Sequence, residues 1–303
     1  MYRLLVISTI LALVLTACGG RPASGSEITA PVILTSTTFL ADITRNIAGD
    51  RVQVESLLPV GADPHSYQPV PKDVAKINES KVLIVNGLEY EHFLEALLEN
   101  AGGEHVIVTA SDGLEPHTME DEENAGQFVS DPHMWLDPNR VITYVENIRE
   151  GLTHFDPDGA AIYKSNTDAY IAQLKNLDAW ITEQVSQITP EKRLLATNHE
   201  ALGYFSERYS FTIIGAVIPN ISSDASTSAG QMAELIDLIK SSGVPAILLD
   251  EVENPELAQQ IADETGVRVI TDLHLESLTD GPPAATYIDM LKHNVTQIVN
   301  ALR

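Results

Sequence analysis

The sequence predicts an α/β protein of two lobes, each a small, mostly parallel sheet flanked by helices, joined by one long helix with a cleft between the lobes. Three observations predict it. Short apolar runs alternate with helical patterns at βα spacing, first over 30–155 and again over 191–303. Between these halves, residues 156–190 carry a helical pattern in which neither glycine nor proline follows Gly159 before Ile188. Finally, His65, His133 and His199, spaced 68 and 66 residues apart, all fall in loops that follow apolar runs.

The chain opens on a different pattern. Arg3 precedes the apolar run Leu4 to Leu15, which is too short to span a bilayer, and Leu15-Thr16-Ala17-Cys18 follows. This resembles a bacterial lipobox, which implies a signal peptide over 1–17, cleavage before Cys18 and lipid attachment to Cys18. That role would account for the only cysteine of the chain, which has no partner for an internal disulfide. Residues 18–29 are small, polar and rich in Gly and Pro, as a lipidated tether would be. The expected location is therefore extracytoplasmic, lipid-anchored at the outer face of the cytoplasmic membrane or in the periplasm.

After the tether, Val32 to Ser36 reads as a buried strand and 38–48 as a helix stopped by Gly49. Residues 51–58 alternate like a strand. A loop with Pro59, Pro64, Pro69 and Pro71 then carries His65. A helix near 71–79, a strand Val82 to Val85, a helix over about 90–100 and a strand Val106 to Val108 complete the first set. Residues 111–132, rich in acids among small residues, read as a mobile acidic loop containing His117. Asp137 is suited to N-cap the next helix, with Pro138 at its first position. The connecting helix follows, with Ala161, Tyr170, Leu174, Leu177 and Ile181 at helical spacing. The second set repeats the rhythm: strands at 194–197, 211–214, 246–249 and 267–271, helices from about 200, at 229–241 and at 254–265, and a closing helix from about 284 to 302.

The formal net charge of −25 argues against nucleic acid as a partner, since phosphate binding requires clustered Lys and Arg. It suits a protein that attracts cations. Asp131-Pro132-His133 and Asp63-Pro64-His65 repeat one local context, and His199 lies in Thr197-Asn198-His199-Glu200. Proline fixes φ immediately before each of the first two histidines and so lowers the ordering cost of presenting the ring. In open α/β sheets, ligands bind at loops beyond the carboxyl ends of strands, where His65, His133, His199 and Glu276 all fall. Three imidazoles and a carboxylate would fill a tetrahedral shell and leave no open position for water, which suggests capture of a metal rather than catalysis. His274 and Asp280 compete with Glu276 for the fourth place. Asp63, Asp131 and Glu200 are candidates to accept the second ring N–H of a ligating histidine. His117 is a candidate auxiliary metal-gathering residue, whereas His92, His105, His154 and His293 read as structural or surface residues.

With these residues in place, the chain resembles the metal-binding solute-binding proteins of ABC transporters, the zinc and manganese lipoprotein family. The resemblance runs from about Val32 to Leu302 and rests on Ile47–Val52, Gly61–Pro69, Asn86–Glu91, Asp131–Pro138, Thr197–Phe205 and Thr286–Asn294. It implies His65, His133 and His199 as ligands and Glu276 at the place where many members have an aspartate, one methylene shorter. Manganese-type members tend to have glutamate where this chain has His199, so the resemblance is closest to the zinc type. A departure is the short acidic loop, where zinc-type members often have a long histidine-rich one. The implied function is a monomeric, lipid-anchored receptor that captures Zn²⁺ and delivers it to a membrane permease. Mn²⁺, or both ions, is the alternative cargo. A zinc hydrolase and an adhesin with a structural metal are rival classes, but no His-Glu-x-x-His pattern supports the first.

Overall fold

The computed structural model describes residues 31–120, 126 and 128–303. The expected signal peptide (1–17), tether (18–29) and Cys18 lie outside the described residues. Residues 31–303 form one compact unit.

The chain begins with β1 (Val32–Thr35) and α1 (Thr38–Ala48). The Thr37 hydroxyl accepts the Leu40 N–H at the start of α1, and Gly49, at φ 58°, closes it. Then come β2 (Gln53–Ser56), α2 (Pro71–Glu79), the fully buried β3 (Val82–Val85), α3 (Leu94–Ala101) and β4 (Val106–Thr109). These strands form an all-parallel sheet in the order β2-β1-β3-β4.

Part of the segment expected to be an acidic loop is a hairpin. Thr118–Glu120 (β5) and Phe128–Ser130 (β6) pair antiparallel as a hairpin. Its strand formers, Thr118, Met119, Phe128 and Val129, sit among acids whose density hides the strand signal in the sequence. The Asp137 carboxylate then accepts the Asn139 N–H and Pro138 opens α4 (Pro138–Phe155), as the local chemistry requires.

Helix α5 (Ala160–Val185) has 26 residues, about 39 Å at 1.5 Å per residue. The second sheet comprises β7 (Leu194–Thr197), β8 (Thr212–Ala216), β9 (Ala246–Asp250) and β10 (Arg268–Leu273), with α6 (Gly203–Tyr209), α7 (Ala229–Ser242) and α8 (Glu256–Thr265) between them. It is also parallel, in the order β10-β9-β7-β8. Helix α9 (Tyr287–Leu302) closes the fold. Each sheet thus has its first strand inside, between its second and third. Loops leave the carboxyl end of that strand and its neighbour in opposite directions there, which opens a crevice.

Strand alternation decides the packing. Ile33 and Leu195 face a central core with Phe39, Tyr144, Tyr170, Leu174, Leu248, Tyr287 and Ile298, drawn from both sheets and from α1, α4, α5 and α9. The next residues along, Leu34 and Ala196, face outward into separate clusters under α2 and α3 and under α7 and α8. The two lobes therefore share one interior, which one face of α5 lines.

Candidate metal centre

The two Asp-Pro-His segments fold into the same turn. The Asp63 carboxylate accepts the His65 backbone N–H at 2.9 Å, and the Asp131 carboxylate accepts that of His133 at 2.9 Å. His65 is presented by the loop between β2 and α2, His133 by the turn after β6, His199 by the loop after β7, and Glu276 by the loop after β10. One ligand atom from each of these four residues lies within 4.8 Å of the others. The His133 Nε2 is 3.4 Å from the His65 Nε2 and 3.3 Å from the His199 Nε2. Glu276 Oε1 is 3.2 Å from His133 Nε2, 3.4 Å from His199 Nε2 and 3.9 Å from His65 Nε2. All four side chains are buried.

The expected orienting carboxylates divide. Asp131 Oδ1 lies 2.8 Å from His133 Nδ1 and so fixes the ring as well as the turn. Asp63 fixes only its loop, with its other oxygen accepting from the hydroxyls of Ser66 and Ser223. Glu200 is not the partner of the His199 ring; Glu253 is, with Oε1 2.5 Å from Nδ1, while Glu200 donates its backbone N–H to Asn220. Glu253 Oε2 in turn accepts the Asp250 N–H at 2.7 Å, and Asp250 accepts the backbone N–H groups of Leu275 and Glu276. A chain of acceptors thus runs from the His199 ring to the backbone that carries Glu276.

The competitors for the fourth place lie elsewhere. His274 turns to Glu251, 2.9 Å away, and packs against His293 at 5.1 Å. Asp280 borders a separate cavity with Thr38 and Pro59. His117, the candidate auxiliary residue, lies outside the cluster: it stacks on Tyr204 at 4.1 Å and meets Glu207 at 3.0 Å. Sequence reasoning missed Tyr90, Asp250 and Glu253. Tyr90 donates its hydroxyl to Glu276 Oε2, and its place inside Asn86–Glu91 was the one available signal.

Burial holds the His65 imidazole down to about 3, with His199 and His133 adding to the effect and Glu276 opposing it. It therefore stays neutral and able to ligate. Burial also opposes charge on His133, but Glu276 and Asp131 outweigh it and raise that ring. For His199, Glu253 and Glu276 together outweigh burial, and the ring is raised to about 10. Glu276, although burial disfavours its charge, is held well below the usual carboxylate range by the three imidazoles. Without metal, the centre is thus a carboxylate ringed by protonatable rings.

Glu276 Oε1 is buried and has no hydrogen-bond donor aligned to it, despite its 3.2 Å approach to His133 Nε2. A buried carboxylate oxygen left so is costly unless a cation takes the place of the donor. Four donors around an ion at the bond lengths of zinc to nitrogen and oxygen stand about 3.3–3.5 Å apart, close to most of the spacings found. The donor set fits a divalent transition ion. A cavity of about 340 Å³, lined by His65, Tyr90, His92, Ser222 and Asp224, opens beside it.

Comparisons with known proteins agree with this reading. The family model described as "ZnuA: Zinc-uptake complex component A periplasmic" matches residues 33–301. The manganese-binding lipoprotein MntA of Halalkalibacterium halodurans is 35% identical over 97% of this chain and 96% of its own. The iron-binding protein YfeA of Yersinia pestis is 31% identical over 88% of this chain and 84% of its own. The structure of the manganese-bound periplasmic metal-binding protein from Candidatus Liberibacter asiaticus superposes with a TM-score of 0.79 at 30% identity, covering 90% of this chain and all of that one. Among the described residues, no helix is long and apolar enough to cross a membrane.

Proposed function

We propose, because the chain belongs to the ZnuA family of metal-binding, solute-binding proteins of ABC transporters, that it captures Mn²⁺ or Zn²⁺ through His65, His133, His199 and Glu276 and passes the ion to a membrane permease. The family consists of transport receptors, not enzymes. Its members work as the substrate-binding component beside a permease.

The observation that carries the ligand assignment is the convergence of three ring nitrogens on one buried carboxylate oxygen. The sequence favours zinc as cargo, whereas relatives named for manganese support manganese. Both fit one chemical account. Sites of nitrogen and oxygen donors generally bind zinc more tightly than manganese, so the ion carried is decided by geometry and supply as well as by affinity. We assign Mn²⁺ as the cargo and Zn²⁺ as the tighter competitor at the isolated protein. Zinc as sole cargo is the second reading, favoured by the third nitrogen donor, His199. The receptor acts as a monomer, tethered by a lipid on Cys18.

Calorimetric titration of metal-stripped protein with Mn²⁺ and with Zn²⁺, and with Zn²⁺ against bound Mn²⁺, tests the reading. Both ions should bind once per chain, zinc displacing manganese, and His199→Ala should weaken both. Unchanged affinity in His199→Ala would remove the ligand assignment.

A further inference from the structure

We propose that Tyr90 is a positioning residue that sets metal selectivity: by holding Glu276 Oε2, it confines that carboxylate to one donor atom and the centre to four. The inference rests on the ligand assignment above and adds the device that limits coordination number.

Glu276 has two oxygens with different fates. Oε1 points among the three Nε2 atoms with no donor aligned to it, while Oε2 accepts the Tyr90 hydroxyl. A carboxylate free at both oxygens can take a metal through both. One whose second oxygen accepts a buried O–H is biased toward binding through the first, because the hydrogen bond fixes the carboxylate's orientation and draws charge from that oxygen. The backbone end of Glu276 is also fixed, since its N–H donates to Asp250 at 2.9 Å. The extra methylene that distinguishes glutamate from aspartate is thus restrained at both ends.

Tyr90 cannot easily withdraw. Its ring is 1% exposed, lies edge-on to His65 at 5.3 Å and packs against Trp135 at 4.8 Å. A phenol is a donor at neutral pH, and the Tyr90 hydroxyl is aimed at Glu276 Oε2. A second observation points the same way. Gly87, Leu88 and Glu89, immediately before Tyr90, have φ of 90°, 57° and 61°. Two successive non-glycine residues in the left-handed region carry real strain, and such strain persists where the surrounding structure enforces it. Here the strained turn delivers the Tyr90 side chain to Glu276. Its other stabilising contacts come from Glu91, which accepts the N–H groups of Asn86 and Gly87.

Four donors suit zinc, which is almost always four-coordinate in closed protein sites, whereas manganese prefers six. Tyr90 therefore tilts the centre toward zinc and away from manganese. Removing its hydroxyl leaves Oε2 buried without a donor, and a metal able to accept a fifth bond can satisfy it.

Tyr90→Phe keeps the ring and removes only the hydroxyl. Competition titrations of Zn²⁺ against Mn²⁺ should show the zinc-to-manganese affinity ratio falling about tenfold, the low end for loss of an outer-shell partner. Co²⁺ is the optical probe: the wild-type complex should give the intense visible bands of a four-coordinate ion, and the variant weaker bands of higher coordination. Thermal melting of the metal-free variant checks that it folds. A folded Tyr90→Phe protein with an unchanged ratio and unchanged Co²⁺ bands overturns the proposal. His199→Ala, titrated in parallel, separates the cases: if it binds metal as the wild type does, the ligand assignment has failed. If it does not, and Tyr90→Phe is unchanged, only the selectivity role has.

Discussion

Replacing Glu253 by glutamine tests how the protein uses the His199 ring, because it removes a charge and keeps most of the shape. The Glu253 carboxylate lies 2.5 Å from His199 Nδ1 and also accepts the Asp250 N–H. An amide has one acceptor oxygen, so Glu253→Gln retains one of these bonds at most. Two opposed effects follow. With the imidazole unprotonated, loss of an outer-shell carboxylate weakens metal binding about 10–100-fold. Proton competition acts the other way. With His199 raised to about 10 in the metal-free protein, a proton must leave before metal can bind, which lowers apparent affinity at pH 7 by about three decades. Without the Glu253 charge that penalty shrinks. Chelator-competition measurements from pH 6.5 to 9 should therefore give a steeper rise of log affinity with pH in the wild type than in Glu253→Gln. The two curves should converge as pH falls. The same proton links to stability. A ring whose pKa is raised on folding stabilises the metal-free fold fully below about 6.5 and loses that contribution as pH climbs through about 10. Parallel log-affinity curves for the two proteins would refute the reasoning.

Three further outcomes are expected. Gly203→Ala puts a methyl 2.9 Å from Asp131 Oδ2, so it should displace the carboxylate that orients His133 and lower metal affinity about tenfold, measured by the same competition. Leu174→Ala should destabilise the protein by about 2–5 kcal/mol, and calorimetric melting should show one transition for both sheets, since Leu174 packs in their common interior. Cys18→Ser should move the protein from the membrane fraction to the soluble fraction of fractionated cells without altering metal affinity.

How much of this was legible in the sequence depends on how local the chemistry is. The Asp-Pro-His turns were readable because the carboxylate, proline and N–H that build them lie within three residues. The start of α4 was readable for the same reason, with cap and proline adjacent. Tyr90 and Glu253 were not, because their partners are 186 and 54 residues away and no spacing rule connects them. The shared interior was hidden for another reason. In runs such as Val82–Val85 and Ala246–Asp250 nearly every residue is apolar, so the sequence reveals burial but not which face meets the other lobe. The hairpin was lost among acids, whose composition outweighed two three-residue strands.

That shared interior governs exchange of the ion. Parting the lobes would bring Phe39, Tyr144, Tyr170, Leu174, Leu248, Tyr287 and their neighbours into water, at about 1.5–3 kcal/mol for each large apolar side chain. For the six named residues alone that is about 9–18 kcal/mol, as large as the 5–15 kcal/mol that typically holds a whole domain together. On the proposed ligand assignment, a metal ion enters and leaves while the body stays shut, by rearrangement of the loops that carry His65, His133, His199 and Glu276. The four loops are not equal in this respect. All four side chains are buried, but the backbone of His65 is partly exposed, in a largely exposed loop, and the residue borders the cavity. Its imidazole is also the one held neutral without metal, and so needs to shed no proton before it closes on an arriving ion. The coordination sphere has a door, and His65 is hung on it.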